Sequence, residues 1–395
     1  MRTGRICAGL AALLAACGGA QQPGAAGVET SIDTAGGVVR IGNAGTPPAW
    51  RAERVLRLGA VEGGPDEFGR IRAVLADADG NVYVADEMAQ EIRVFAPDGR
   101  HLRTIGRKGA GPGEFALLHG LAWLDGGRLA AMDAHNARIG MLSREGEWLE
   151  TIRHVPISGP KIRLHPLGDE GFYAPIVDAT GQGLALARFT AGGPRDTIPM
   201  PLRLPVQASA GLPRTAARCR LPNGALYVVT LPEVPTVEYA LPPPGGTIAI
   251  AWTAEYRIAF LDAAGDTLRV VTRERPLLPY TDALYEEGMR RYRELRVTYP
   301  ALRCEPGEPE RPSYRAALRH ILFDETSRMW VEAAAEDGFV WEVFDAEGRL
   351  LGAFPAPPRA AAIAPYVRDG RLYQVEADEL GVQYVAVYRI DGLRA

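Results

Sequence analysis

Two groups of side chains in this 395-residue chain have types and spacings that could do chemistry. Asp86, Asp133, His135 and Asn136 offer the carboxylate, imidazole and amide groups that hold a divalent ion or exchange a proton. Asp86 and Asp133, however, stand 47 residues apart at matching places in a repeated pattern, as turn-capping residues would. The structural reading of all four is preferred, and no metal ligand is assigned. Arg72, His119, Arg163 and His320 form the second group, each at or near the predicted start of a strand. If all four face one axis, they make a basic funnel suited to an anionic ligand such as a carboxylate or an acidic glycan. The competing reading makes each a strand end satisfied by water or a neighbouring carboxylate. HExxH, GxSxG, a phosphate-binding loop and GxGxxG in a strand–helix context are absent. No catalytic residue and no cofactor is therefore assigned.

The four cysteines divide by position. Arg2 and Arg5 precede an apolar run from Ile6 to Ala16 that is too short to span a bilayer stably. It ends in Leu14-Ala15-Ala16-Cys17, followed by Gly18 and Gly19. This run resembles the lipobox of bacterial lipoproteins, whose cysteine thiol receives a diacylglycerol before the signal is removed. The resemblance implies a signal peptide over 1–17, export and lipidation at Cys17. Because Gly18 is not Asp, it also implies an outer-membrane anchor in a host with two membranes. Two or three acyl chains make such anchoring stable, at ~0.8 kcal/mol per buried methylene. An ordinary secretory signal with a chance cysteine is the alternative. Cys7 leaves with the signal, so Cys219 and Cys304 remain. They form either a disulfide, as an oxidising periplasm permits, or two buried thiols. Residues 18–50 are rich in Gly, Ala and Thr and read as a flexible tether, with Val38–Ile41 as a weak strand candidate.

Composition narrows the class. Hydrophobic content of 47% with 23% charged residues describes a globular chain, and a net charge of −4 supplies no basic face for nucleic acid. Gly 45 and Pro 31 suit a chain that turns often between short strands. The turns recur in order. Gly64-Pro65-Asp66-Glu67-Phe68 is echoed by Gly111-Pro112-Gly113-Glu114-Phe115, Ile92 by Ile139, Gly99 by Gly146, and Leu102 by Leu149. Within the first unit, Ile71–Ala76, Asn81–Asp86, Glu91–Phe95 and His101–Ile105 read as strands, separated by turns at Asp77–Gly80 and Pro97–Gly99. Four short antiparallel strands per unit make a propeller blade, whose core only its neighbours complete.

The words Gly111–Phe115, the run Asp77–Asp86 and Ile92-Arg93-Val94-Phe95 are similar to the NHL repeat, most clearly over 54–152. The mature chain resembles the uncharacterised six-bladed propeller lipoproteins of environmental bacteria, a resemblance that implies a fold and a location and no activity. The expected fold is all-β: a six-bladed β-propeller of four-stranded antiparallel blades over 51–395, with seven blades as the main rival. Later blades are expected over about Lys161–Met200, from near Cys219 through Asp266, from near Ser313 through Gly348, and over Ala361–Ile390. The last shows three strands, and Arg54–Leu58 would supply the fourth and close the ring.

One segment, about 281–297, breaks the β pattern. Thr281 or Asp282 can cap a helix there, Glu286 and Glu287 can pair with Arg290 and Arg291, and Tyr285, Met289 and Tyr292 would pack on the propeller. This insertion reads as a flap over one face. Trp123, Trp148, Trp252, Trp330 and Trp341 fall mostly in strands, where packing between blades accounts for them. The expected function is binding or scaffolding of a protein or small anionic ligand by a membrane-anchored propeller outside the cytoplasm, not catalysis. Some propellers of this kind are lactonases or lyases that hold calcium or zinc at the channel mouth, so a metal-dependent enzyme of that type is the alternative.

Overall fold

The computed structural model describes residues 22–23, 27–61, 63–153, 164–167, 171–177, 184–190, 193–199, 214–224, 226–360 and 363–393. The signal segment with Cys17 and the candidate Arg163 lie outside these residues.

Turn chemistry cuts the chain into strands. Asp77 accepts hydrogen bonds from the backbone N–H of Asp79 and Asn81, both at 2.9 Å, and Gly80 takes φ +78°. The turn thereby reverses the chain within four residues. Asp324 repeats the device with Thr326 and Arg328, and Asp378 with Leu380 and Val382.

The resulting strands form six blades. The first is Ile71–Ala76, Val82–Asp86, Glu91–Phe95 and His101–Ile105, and the second is Leu118–Leu124, Arg128–Asp133, Arg138–Leu142 and Trp148–Arg153. The third is His165–Pro166, Phe172–Val177, Leu184–Thr190 and Gly193–Pro199, and the fourth is Val237–Ala240, Ile248–Trp252, Arg257–Leu261 and Thr267–Arg273. The fifth is Leu318–Phe323, Met329–Ala335, Gly338–Phe344 and Leu350–Pro355. The sixth is Tyr366–Arg368, Arg371–Ala377 and Gln383–Ile390, completed by Ala52–Leu58 from the N-terminal side, as the sequence predicts.

Every neighbouring pair of blades shares an apolar core, and the succession closes on itself. Leu75, Tyr83 and Val94 pack with Leu118 and Leu129 between blades one and two. Met132 and Ile139 meet Phe172 and Phe189 between two and three, and Tyr173 and Leu186 meet Leu241 and Ile248 between three and four. Ile258 and Phe260 meet Ile321 and Phe344, Trp330 and Trp341 meet Leu372 and Ile390, and Tyr373 and Val385 meet Val74 and Val82. Six interblade cores make the six-bladed ring. The large cores lie between blades, so burial of these side chains depends on the neighbouring blade's register.

Four expectations change. The supposed tether carries a hairpin, Val28–Ala35 with Val38–Gly45, and Val38–Gly45 lies parallel to the outer strand Thr267–Arg273 of blade four. With Gln22–Pro23 it makes that sheet seven-stranded. Its composition is linker-like, but Val28 and Ile41 are buried in the core between blades four and five, and the Asn43 side chain is bound there by Leu350 N–H (2.9 Å) and to the Gly348 carbonyl (3.0 Å). The strand holding Cys219 does not begin blade four. Ala216–Arg220 pairs with Leu226–Thr230 and Arg303–Glu305 in a separate three-stranded sheet, where Cys219 and Cys304 are register partners with Cα atoms 3.9 Å apart and form a disulfide.

The helix Asp282–Thr298 has Thr281 as its cap, the hydroxyl accepting from Leu284 N–H. Met289 and Tyr292 are buried against this small sheet with Leu231 and Val234, not against a blade. Gly288 permits that approach, since a Cβ there would lie 2.5 Å from Leu231 Cδ2. Of the two expected pairs, Glu287–Arg291 forms at 3.3 Å, while Glu286 pairs with Arg293 instead.

Candidate functional site

The inner strands of all six blades enclose an axial channel with a cavity of about 620 Å³, within the range of small-molecule sites. Its walls are largely apolar, with Leu75, Leu121, Leu241, Leu322 and Val367 drawn from five different blades. Polar groups gather at its two ends. At the front end, where inner strands begin, stand Arg72 and His119; at the rear end, where they turn into the second strands, stand Asp77, Arg144, Asp324 and Arg368.

A repeated backbone irregularity places the front groups. Ile71 pairs with Asp86 and Ala73 with Ala85, which leaves Arg72 as the extra residue of a bulge. Leu118 pairs with Asp133 and Gly120 with Met132, so His119 is its counterpart in blade two. In blade five Leu318 pairs with Ala333 and His320 with Glu332, and the equivalent residue is Arg319. Such bulges re-aim a side chain at a sheet's end. The sequence reading placed His320 in this role, one residue too far along, because an unpaired extra residue reverses the alternation of faces that strand patterns assume.

Of the four residues of the expected basic funnel, Arg72 and His119 stand together at the front of the channel, His320 is not among the residues that line it, and Arg163 lies outside the described residues. Arg72 is ion-paired with Glu87, which Arg70 also reaches at 3.2 Å. Burial would raise the Glu87 carboxyl, but the hydrogen bond and charge of Arg72 hold it below the usual carboxylate range. His320 is buried with its Nδ1 3.2 Å from the Glu238 carboxylate. His119 is lowered, first by burial and then by the Arg72 cation, with Glu87 opposing, so the imidazole is neutral at neutral pH. Its Nδ1 is buried without a hydrogen-bond partner. Among the described residues, the front of the channel thus presents a neutral imidazole beside a guanidinium that is ion-paired with Glu87. Sequence reasoning missed Glu87: the second unit has Ala134 at the matching place, so the repeat hides it.

Asp86 and Asp133 serve structure. The Asp86 carboxylate accepts from the backbone N–H groups of Gly69 (2.9 Å), Arg70 (3.0 Å) and Met88 (3.0 Å). Asp133 accepts from Ala116 N–H (3.1 Å), Leu117 N–H (3.0 Å), Asn136 Nδ2 (2.6 Å) and Arg138 Nε (3.2 Å). His135 is exposed and outside this network. Among the described residues no group of three or more His, Cys, Asp or Glu side chains is placed to hold a metal ion. Among the tryptophans, Trp330 and Trp341 are fully buried, edge to face at 6.5 Å, while Trp123 meets Tyr83 edge-on at 4.9 Å and also lines the channel.

At the rear end, Arg144 of blade two reaches Asp77 of blade one at 2.8 Å, and Asp324 binds Arg328 Nε (2.8 Å) and Trp330 Nε1 (3.2 Å). The Arg144–Asp77 pair ties the turns of blades one and two, and the Asp324 bonds close the turn of blade five; buried polar atoms without a hydrogen-bond partner line the channel at both ends, His119 Nδ1 at the front and Trp123 Nε1 and Arg368 Nε toward the rear.

One comparison with known proteins, that with a family model, agrees with this architecture. A family model described as a 6-bladed beta-propeller, DUF5128, matches residues 66–158, the span of blades one and two. A search of curated proteins finds no match. Among solved structures the chain is similar to a member of the DUF4221 family from Bacteroides vulgatus, at 12% identity over 88% of this chain and 99% of that one, with a TM-score of 0.47. It is also similar to virginiamycin B lyase from Staphylococcus aureus, at 11% identity over 86% and 99%, with a TM-score of 0.44.

Proposed function

We propose that this chain is an exported, lipid-anchored binding protein whose propeller takes a small amphiphilic ligand into the front of its axial channel. The observation that carries this reading is the buried His119 Nδ1, unpartnered beside the Arg72–Glu87 pair at the head of an apolar cavity. A buried polar atom without a partner costs about 1–3 kcal/mol, and a ligand head that hydrogen-bonds to it recovers that cost. The apolar walls then hold the ligand's body. The Arg72–Glu87 pair narrows the expected anionic ligand to one whose head exchanges hydrogen bonds with His119 and Arg72 and does not depend on net charge. The lipobox-like run ending at Cys17 supports export and anchoring.

The test is titration of the protein with anilinonaphthalene sulfonate, an apolar anion, followed through Trp123 fluorescence. Saturable binding at one site is expected, weakened about tenfold in His119→Leu, the value of one hydrogen bond to a polar group. Non-saturating binding, or identical affinity in His119→Leu, would defeat the reading.

A further inference from the structure

We infer that the channel's ligand has two polar ends: a head that meets His119 at the front and, about 13 Å away, a neutral oxygen acceptor that meets Trp123 at the rear. This rests on the reading of the front end proposed above and extends it to the ligand's other end. The separation follows from the strand that carries both residues. His119 and Trp123 lie four residues apart on Leu118–Leu124, the inner strand of blade two, which rises about 3.3 Å per residue. Both line the same cavity, and Leu121 lines it between them. Leu75, Leu241 and Leu322 add apolar wall from other blades, so the stretch joining the two ends is hydrocarbon.

The rear end sets what the second group must be. Trp123 Nε1 is buried without a hydrogen-bond partner, and so is Arg368 Nε, at the end of the inner strand of blade six. Indole and guanidinium N–H groups donate and never accept, so their complement is an oxygen acceptor. The Trp123 ring is held edge-on against Tyr83 at 4.9 Å, which fixes the direction of its N–H. His119 is neutral, and the choice of tautomer lets its Nδ1 give or take a proton-bearing contact. A head that must donate therefore fits only the front, and this asymmetry orients the ligand. Charge selects a neutral acceptor for the rear. Among the described residues, both cations that line the rear already stand beside carboxylates: Arg144 is 2.8 Å from Asp77, and Arg368 is 3.5 Å from Asp369. Asp77, Asp324 and Glu325 line the same end, so an added carboxylate meets three others with no free cation to offset them. The carbonyl of an ester, amide or ketone takes the indole N–H without that repulsion.

The experiment is calorimetric titration of the full chain with dodecanoate and with the methyl monoester of dodecanedioic acid, which adds an ester carbonyl at the far end. The monoester should bind about tenfold tighter, the value of one hydrogen bond to an otherwise unpartnered donor. Dodecanedioate, charged at both ends, should lose that gain. Trp123→Phe keeps a ring against Tyr83 and removes the N–H, so dodecanoate and the monoester should bind it equally. His119→Leu should weaken both by the same factor, because it acts at the opposite end. Equal affinity of the two ligands for the unaltered chain, or a preference that survives in Trp123→Phe, overturns the second end and leaves the front-end reading intact. Dodecanedioate binding tighter than the monoester overturns the neutral acceptor. Absence of saturable binding for every one of these ligands defeats this inference and the front-end reading together.

Discussion

Blades two and four close the same joint in different ways. In both, the residue just after the second strand donates its N–H to the carbonyl just before the inner strand: Ala134 to Leu117 at 2.9 Å, and Thr253 to Thr236 at 2.9 Å. Blade two adds a buried carboxylate, Asp133, that gathers two further backbone donors, an amide and a guanidinium. Blade four adds only the Thr253 hydroxyl, which accepts from Thr236 N–H at 2.8 Å. The shared backbone bond is invisible in sequence, while the carboxylate writes a recognisable word. The repeat therefore fades after blade two although the joint itself persists, in blade five as Ala334 N–H to the Ala317 carbonyl.

The largest effect should come from removing the carboxylate where it neutralises a cation. Asp133 is fully buried and the Arg138 side chain, 3.2 Å away, nearly so. Asp133→Ala leaves a buried guanidinium with carbonyl acceptors but no counter-charge, and two N–H groups without their acceptor, and should cost ~3–5 kcal/mol. Asp86→Ala should cost about 2 kcal/mol less, because the nearest Asp86 contact to Arg93 is longer, at 3.8 Å, and most of its donors are neutral backbone groups. Urea denaturation midpoints of the two variants measure the difference. Equal losses would mean that the cation adds nothing to the joint.

Blade five puts its charge elsewhere, and acid should expose it. Glu332, fully buried, is held by Arg319 at 2.7 Å and by Arg359 at 2.7 Å. Burial alone would raise its carboxyl, but the two guanidinium groups bring it down to about 2 from the ordinary 4.5. The unfolded chain takes up this proton near 4.5 while the native carboxylate resists to about 2. Stability from this group is therefore complete above pH 4.5 and lost progressively between 4.5 and 2, on the order of 3 kcal/mol in all. Unfolding free energy measured across that window should fall steeply, and Glu332→Gln, though less stable at neutral pH, should flatten the fall. An unchanged slope in Glu332→Gln would assign the acid sensitivity to other carboxylates.

How far the sequence could be read follows from the same contrast. Blades one and two, the closing strand Ala52–Leu58 and the helix after Thr281 all depend on local chemistry: turn residues, alternation and a cap. What escaped was set by distant partners. Asn43 is fixed by Gly348 and Leu350, about 300 residues away, so nothing near Asn43 marks its hairpin as part of blade four. The Cys219 strand alternates just as a blade strand would, and only its pairing with Arg303–Glu305 removes it from the ring. At the channel, Arg72 and His119 were legible as strand starts. The bulge that selects Arg319 over His320, and the Glu87 and Glu238 carboxylates that partner Arg72 and His320, were not. A hydrogen bond between side chains 82 residues apart leaves no periodic signal.

The smallest effect tests the comparison most directly. Thr253 is buried, and Thr253→Val keeps its shape while removing the hydroxyl that accepts from Thr236 N–H. The backbone bond from Thr253 N–H to the Thr236 carbonyl is untouched by the change. If that bond closes the joint in every blade, Thr253→Val should lower stability by only about 1 kcal/mol, the value of one neutral hydrogen bond. The urea midpoint should shift slightly with no change in slope. A loss as large as that of Asp133→Ala would show that blade four leans on its side-chain acceptor as heavily as blade two does. The backbone bond would then be a consequence of the closed joint, and the carboxylate words of blades one and two would mark a requirement that the other blades meet with different residues.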